Sequence, residues 1–286
     1  MAPTLYLIRH AQAAHNVNAA NHFMHDPSLT ELGDQQCRAL KASFPLHDKI
    51  DLVVASPMKR TIQTALKVFG DTLKTKSLQV ICLPELQETS VLPCDTGSTI
   101  EVLEQEFKGC PVDFQYVTEG WNSKRGRWSA DFGPVQTRAR QARVWLRDRP
   151  EKHIAVVTHG ALLHYIIEDF VDVDRFSGTG WANTEWRSVY FTSEPDPASS
   201  TTSFDRDSEH ALAHVKELSE SQQRRKGVAQ QHEAEQQAER DRWTREDKTL
   251  VTDRGERRAT PEVHEASPSP GPSATSPQPV VQVAKA

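Results

Sequence analysis

The chain lacks most of the features that would assign it quickly. Its four cysteines, Cys37, Cys82, Cys94 and Cys110, form no C-x-x-C pair and no paired-ligand spacing. That excludes the usual zinc and dithiol motifs and leaves four reduced thiols. His22 and His25 are three apart, but no further ligand set accompanies them, so they read as surface histidines and no metal or cofactor is expected. There is no basic excess: the formal net charge is -5, which argues against a general nucleic-acid binder. No apolar run approaches the roughly 20 residues that cross a bilayer. The stretch MAPTLYLIRH has no basic leader and too short an apolar run for a signal peptide. The expected location is the cytoplasm, with the nucleus also open to it. No G-x-S-x-G pattern occurs, so a serine hydrolase is set aside.

What is present is an alternation. LYLI (5–8), LVVAS (52–56), LQVICL (78–83) and IAVVT (154–158) are short, apolar and rich in Val and Ile, and SVYF (188–191) is a weaker fifth run. They read as buried strands. Helical patterns lie between them. One starts at Thr30, with Glu31 in its first turn, and carries Leu32, Cys37 and Leu40. One follows Ser56-Pro57, with Pro57 in an early helical position and Ser56 as its cap. Two more cover about 134–149 and 160–171. This alternation predicts a three-layer α/β/α domain, a mostly parallel sheet with helices on both faces.

The character changes near residue 195, which divides a catalytic domain (1–195) from a tail (196–286). SEPDPASSTTS is a polar linker. Residues 205–247 have a helix-friendly composition, with Ala211, Leu212, Val215 and Leu218 as a short apolar stripe. The stripe is not sustained, so a coiled coil is not expected. The Pro- and Ser-rich end reads as disordered. The tail is expected to be solvated; a protein partner for it is the alternative.

Three strand ends carry the chemistry. LYLI runs into Arg9-His10, LVVA into Ser56-Pro57-Met58-Lys59-Arg60, and IAVVT into His159-Gly160. Ligands of α/β sheets gather at the carboxyl ends of strands, so neighbouring strands would converge two arginines and two histidines. That set is a receptor for a phosphoryl group. Guanidinium forks match phosphate oxygens, and helix N-termini after Ser56 and His159 add backbone donors. One neutral imidazole can attack phosphorus and the other can stabilise the charge of the transferring group. A leaving alkoxide needs a proton, and LPELQETS offers Glu85 or Glu88, which spacing alone does not separate.

The ordered set RHAQAAHN, LTELGDQQ, SPMKRTIQTA, ELQE and VVTHG resembles the histidine phosphatase superfamily, the phosphoglycerate mutase-like family, over about residues 4–192. With PCDTGS and EGW downstream, it is similar to the fungal and plant branch of that family. The resemblance implies His10 as the nucleophile, Arg9, Arg60 and Asn16 on the phosphate, and His159 as the second pocket histidine, followed by Gly160. It implies Glu88 as the acid, with Glu85 as second choice. Where the family motif has Arg-His-Gly, this chain has Ala11. The family uses a main-chain carbonyl beside this position to hold the nucleophile's other ring nitrogen, so the backbone there must suit a residue with a Cβ.

The expected function is hydrolysis of a small phosphorylated metabolite through a phosphohistidine, without metal or cofactor. The alternatives are phosphoglycerate mutase-type transfer and a non-catalytic phosphate-binding scaffold. The segment between Glu88 and Pro134 is expected to form a lid. Lys124, Arg125 and Arg127 could grip a second anionic group there, or Trp121 and Trp128 could simply anchor a solvated loop.

Overall fold

The structure is a computed structural model and describes residues 2–168, 180–192 and 214–217. One seven-stranded sheet runs through it in the order β4-β3-β2-β5-β1-β6-β7. The strands are β1 (Thr4–Arg9), β2 (Leu52–Ala55), β3 (Val80–Cys82), β4 (Val112–Asp113), β5 (His153–Thr158), β6 (Trp186–Thr192) and β7 (His214–Glu217). The first five lie parallel, β6 is antiparallel to β1, and β7 is antiparallel to β6. The order departs from chain order so that β5 lies between β2 and β1. The ends of the three strands expected to carry chemistry are therefore neighbours, and Arg9 is in register with Thr158.

Both faces are covered, as the near-continuous apolar runs require, because side chains alternate across a strand. On one face Leu5, Leu7, Leu52, Val54, Ile154 and Val156 pack against α4 (Phe132–Arg147) and α5 (Gly160–Ile167). On the other, Tyr6, Ile8, Val53, Ala55, Ala155 and Val157 pack against α1 (Glu31–Ser43) and α2 (Lys59–Lys76). A third cluster, including Met58, Ile62, Leu103 and Trp121, seats α3 (Ile100–Glu106) beside α2. No helix among the described residues is long and apolar enough to cross a membrane.

Four details differ from the sequence reading. The apolar stripe at 211–218 is interrupted by a strand, since 214–217 pairs with β6, so the sheet draws on four residues beyond position 195. The rest of the tail lies outside the described residues. Leu32 is exposed rather than packed; Cys37 and Leu40 carry the buried face of α1. Helix α5 ends at Ile167, with Glu168 left-handed behind it. Helix α2 starts at Lys59, after Pro57 rather than on it, and its cap is not Ser56. Asp26 supplies that cap from 33 residues upstream, accepting from Lys59 N at 3.1 Å and from Ser98 N at 2.9 Å. A carboxylate satisfies the otherwise orphaned first donors of a helix and favours its positive end.

Helix α1 begins as expected. The Thr30 side chain accepts from Gly33 N at 3.1 Å, a cap worth about 1 kcal/mol. Gly33 is also a packing requirement: a Cβ there would lie 2.1 Å from Gln12 O. The absence of a side chain lets α1 press directly on the backbone that follows His10.

Candidate active site

His10 is the first residue after β1 and its N–H still bonds the sheet, donating to Thr158 O at 2.9 Å. Its ring is buried. Nδ1–H donates to Ala11 O at 2.7 Å, which fixes the tautomer and leaves the Nε2 lone pair facing the pocket. Ala11 serves this role without strain: it is fully buried and is not among the residues with positive φ. Its own N–H donates to Thr64 Oγ1 at 3.1 Å. Burial, followed by the charges of Arg60 and Arg9, holds the His10 pKa well below the ordinary imidazole value, so the ring is neutral at neutral pH.

Arg60 reaches the same nitrogen from the first turn of α2. Its Nε donates to His10 Nε2 at 3.2 Å, Nη1 to Cys94 O at 2.6 Å, and Nη2 to Asp95 Oδ1 at 3.0 Å. Arg9 donates through Nη1 to Trp181 O. His159 lies with its ring centroid 5.3 Å from that of His10, and its Nε2 is 2.9 Å from Ser56 Oγ. Ser56, expected to cap a helix, thus orients the second histidine instead. Burial and Arg60 lower the His159 pKa well below its ordinary value too. Gly160 opens α5 directly behind it. Arg9 Nε, His15 Nδ1 and His159 Nδ1 are buried without a hydrogen-bond partner among the described residues. Buried polar atoms are ordinarily paired, so three unpaired atoms on residues neighbouring His10 fit a pocket whose polar partner is a ligand.

With this geometry in view, the comparisons with known proteins are decisive. The family model of the histidine phosphatase superfamily, branch 1, matches residues 5–198. The chain belongs to that superfamily. It is 32% identical to a phosphoglycerate mutase-like protein of Arabidopsis thaliana, with 65% of this chain and 80% of the relative covered. It is 31% identical to a Schizosaccharomyces pombe protein named as a phosphatase, over 55% of this chain and 74% of that one. Among solved structures, a phosphoserine phosphatase from Entamoeba histolytica is 22% identical, covers 66% of this chain and 91% of its own, and has a TM-score of 0.41.

The stretch that carries the candidate acid, Glu88, is built differently. Glu88 sits in a stretch without helix or strand, and Oε1 accepts from Thr89 N at 2.8 Å. Desolvation, then the neighbouring Asp95 carboxylate, raises its pKa above the ordinary carboxyl value, the direction a general acid needs. Glu85 is engaged elsewhere: its Oε1 pairs with Arg127 Nη2 at 2.6 Å. The two carboxyls that spacing left equivalent are thus separated by their partners.

Asn16 lies beside the pocket but points its amide inward on the loop. Its Oδ1 accepts from Ala13 N at 3.0 Å and its Nδ2 donates to His15 Nε2 at 3.1 Å. His15 is itself buried, 5.6 Å from His10 between ring centroids, with its pKa lowered to about 3 by burial and by Arg60.

Several contributors escaped the sequence reading. Asp95 pairs with Arg60 and accepts from Ser90 Oγ at 2.6 Å. Asn183 Nδ2 donates to His10 O at 2.9 Å. Arg138 of α4 donates to the carbonyls of Glu85, Gln87 and Glu88. The Cys-Asp of PCDTGS was a visible motif without a role, whereas Arg138 looks like any helix-surface arginine until α4 is packed.

The segment after Glu88 is anchored rather than solvated throughout. Trp121 is buried, and a Cβ on Gly97 would lie 2.1 Å from its ring. Lys124, with φ +53, donates to Glu88 O at 2.8 Å, and burial lowers its pKa to about 8. Arg127 stacks on Trp128 at 4.3 Å.

Proposed function

We propose that this chain is a metal-independent phosphomonoester hydrolase that works through a phosphohistidine on a small phosphorylated metabolite. The observation that carries the reading is the state of His10: neutral, buried, and held by Ala11 O so that Nε2 faces Arg60. A phosphoryl group between Arg9, Arg60 and His159 would put phosphorus in line with Nε2. The N–P bond forms as the P–O bond to the alcohol breaks, and the Glu88 proton passes to the leaving oxygen. Water then attacks phosphorus, the P–N bond breaks, and Glu88 takes the water's proton. The two guanidiniums supply the charge that stabilises the transferring group.

Mutase-type transfer is the second reading, and the phosphoglycerate mutase-like names of the plant relatives favour it. It requires a grip for a second anion. Against it, Lys124 and Arg127, two of the three cations expected to supply that grip, are bonded to the Glu88 carbonyl and the Glu85 carboxylate.

Rapid acid-free quenching during turnover of p-nitrophenyl phosphate tests the proposal. Wild type is expected to carry an acid-labile, base-stable phosphate, and His10→Ala to lose both the label and turnover by at least about 10³-fold. Undiminished turnover in His10→Ala overturns it.

A further inference from the structure

Two loops border the reacting groups, and both expose large apolar side chains. The first leaves Asn16 and carries Val17, Phe23 and Met24, which are 57%, 78% and 45% exposed. The second leaves Glu88 and carries Val91 and Leu92, 64% and 39% exposed. The loops are tied to each other: Asp26 N donates to Pro93 O at 3.4 Å, and the Asp26 carboxylate holds Ser98 N. The first is also tied back to the pocket, with Asn21 Nδ2 donating to Ala14 O at 2.8 Å, and His22 lies close enough to His15 for its charge to be felt there.

Their charge is as telling as their polarity. No lysine or arginine occurs from residue 11 to 37 or from 85 to 107. Within the second stretch, Asp95 already occupies the edge of the phosphate site on Arg60. A second phosphate or carboxylate on the substrate would find no cation on either loop and would meet that carboxylate; the one lysine that reaches Glu88, Lys124, has its ammonium on the Glu88 carbonyl at 2.8 Å. In-line attack from His10 puts the leaving oxygen beside Glu88, so the group attached to that oxygen lies over the segment that follows Glu88 and the loop bound to it.

We infer that residues 17–24 and 89–93 form the leaving-group subsite, and that it selects phosphomonoesters of apolar alcohols over those of polyols or of alcohols bearing a second anion. Exposed apolar side chains at a pocket mouth are a ligand-binding feature, and here the two loops that carry them are linked in chain and in hydrogen bonding to the groups proposed to react. The inference rests on the phosphohydrolase reading.

The test compares kcat/KM for n-hexyl phosphate, glycerol 3-phosphate and 3-phosphoglycerate. Their leaving alcohols are all aliphatic, so polarity and charge vary more than leaving-group chemistry. Wild type is expected to favour hexyl phosphate by about tenfold or more, the scale that burying a few methylenes provides. The double variant Phe23→Ser, Val91→Ser is expected to lose most of that ratio, chiefly through KM. Both side chains are exposed, so a thermal melt checks that the variant is folded, and the wild-type ratio stands as a measurement independent of any variant. A wild-type ratio of one or less overturns the inference, as does a ratio the folded variant leaves unchanged; the latter would give the patch to a protein surface instead. Labelling of wild-type His10 by phosphoramidate, which carries no alcohol, separates the two levels: without a label the hydrolase reading fails and this inference with it, and with a label but no preference only the inference fails.

Discussion

His10, Ser56 and His159 each follow the last residue of a parallel strand, and the sheet's hydrogen bonding continues into them, from His10 N to Thr158 O and from Ser56 N to Val157 O. Glu88 has no such support. Its stretch is held from outside, by three bonds from Arg138, one from Lys124 to Glu88 O, one from Thr158 Oγ1 to Leu86 O, and one from Gln87 Nε2 to Trp121 O. The half that carries His10 and His159, the proposed phosphate half, is therefore a product of topology, and the Glu88 half, the proposed acid half, a product mainly of side-chain clasps from Arg138 of α4, Lys124 and Thr158. The contrast suits their tasks. Phosphate binding needs fixed charges at fixed distances, whereas the acid must meet leaving groups whose position varies with the alcohol.

The largest effect that would break this comparison is at Glu88, the proposed acid. Glu88→Gln keeps the shape and removes the proton, so kcat is expected to fall by about 10²–10⁴-fold. Glu85→Gln, whose native partner is the exposed Arg127, is expected to change kcat less than about threefold, since surface ion pairs contribute little. Steady-state kinetics on an alkyl phosphate checks both, because a poor leaving group depends most on the acid. An equal loss in the two variants would mean that the acid half is not organised around Glu88. The raised Glu88 pKa adds a sign: the phosphorylation step weakens as pH rises through it, and that basic limb disappears in Glu88→Gln.

Next in size is the clasp. Arg138 is almost completely buried and bonded to three carbonyls. In Arg138→Met the aliphatic stem is kept while those acceptors lose their donor. Each buried acceptor left unpaired costs about 1–3 kcal/mol, so a loss of about 3 kcal/mol in unfolding free energy is expected by denaturant titration. The comparison sharpens if kcat for alkyl phosphates falls while inorganic phosphate still binds with unchanged affinity, because only the acid half depends on this residue. Weakened phosphate binding of the same size would show that the two halves are not separable.

The same division explains what could be read from the sequence. Strands β1, β2 and β5 announce themselves as apolar runs ending in Arg-His, Ser-Pro and Thr-His-Gly, and the sheet order makes those ends neighbours, as the sequence reading expected. The strands that were missed carry no such run: β4 is two residues long, and β7 sits in a stretch of helix-forming composition that pairing with β6 overrides. Helix α3 was also unread, since IEVLEQE shows less than two turns of pattern. The cap of α2 is Asp26, far upstream, so the local signal Ser56-Pro57 pointed to the wrong start. Asp95, Arg138 and Asn183 act through contacts across 35 to 173 positions of chain, which no local pattern encodes. The resemblance to a known family points to Glu88 over Glu85, and the structure adds that Glu85 is paired with Arg127.

The smallest expected effect concerns the cost of building the phosphate half from imidazoles. His10, His15 and His159 are all buried with lowered pKa, that of His15 to about 3. An unfolded histidine titrates near 6.5. Between about 6.5 and about 3 the unfolded chain takes up protons that the folded pocket refuses, so the unfolded state binds more protons and stability falls as pH is lowered. Thermal melts from about pH 7 to about pH 4 are expected to show a falling Tm with no matching contribution from Glu88. Its raised folded pKa means that the folded state holds its proton more tightly than the unfolded one, which favours folding as pH falls. His15→Gln keeps a polar side chain beside Asn16 and removes one of the three titrations, so the slope of Tm against pH should flatten by a few degrees over that range. An unchanged slope would assign the acid lability to the other titrating groups, His10, His159 and the paired Glu151 among them. Because Glu88 and Asp26, both with raised pKa, oppose that fall, a Tm that does not fall below pH 6.5 even in Glu88→Gln and is unmoved by His15→Gln would mean that the folded pocket accepts protons on its imidazoles, and the proposed neutral nucleophile would have to be given up.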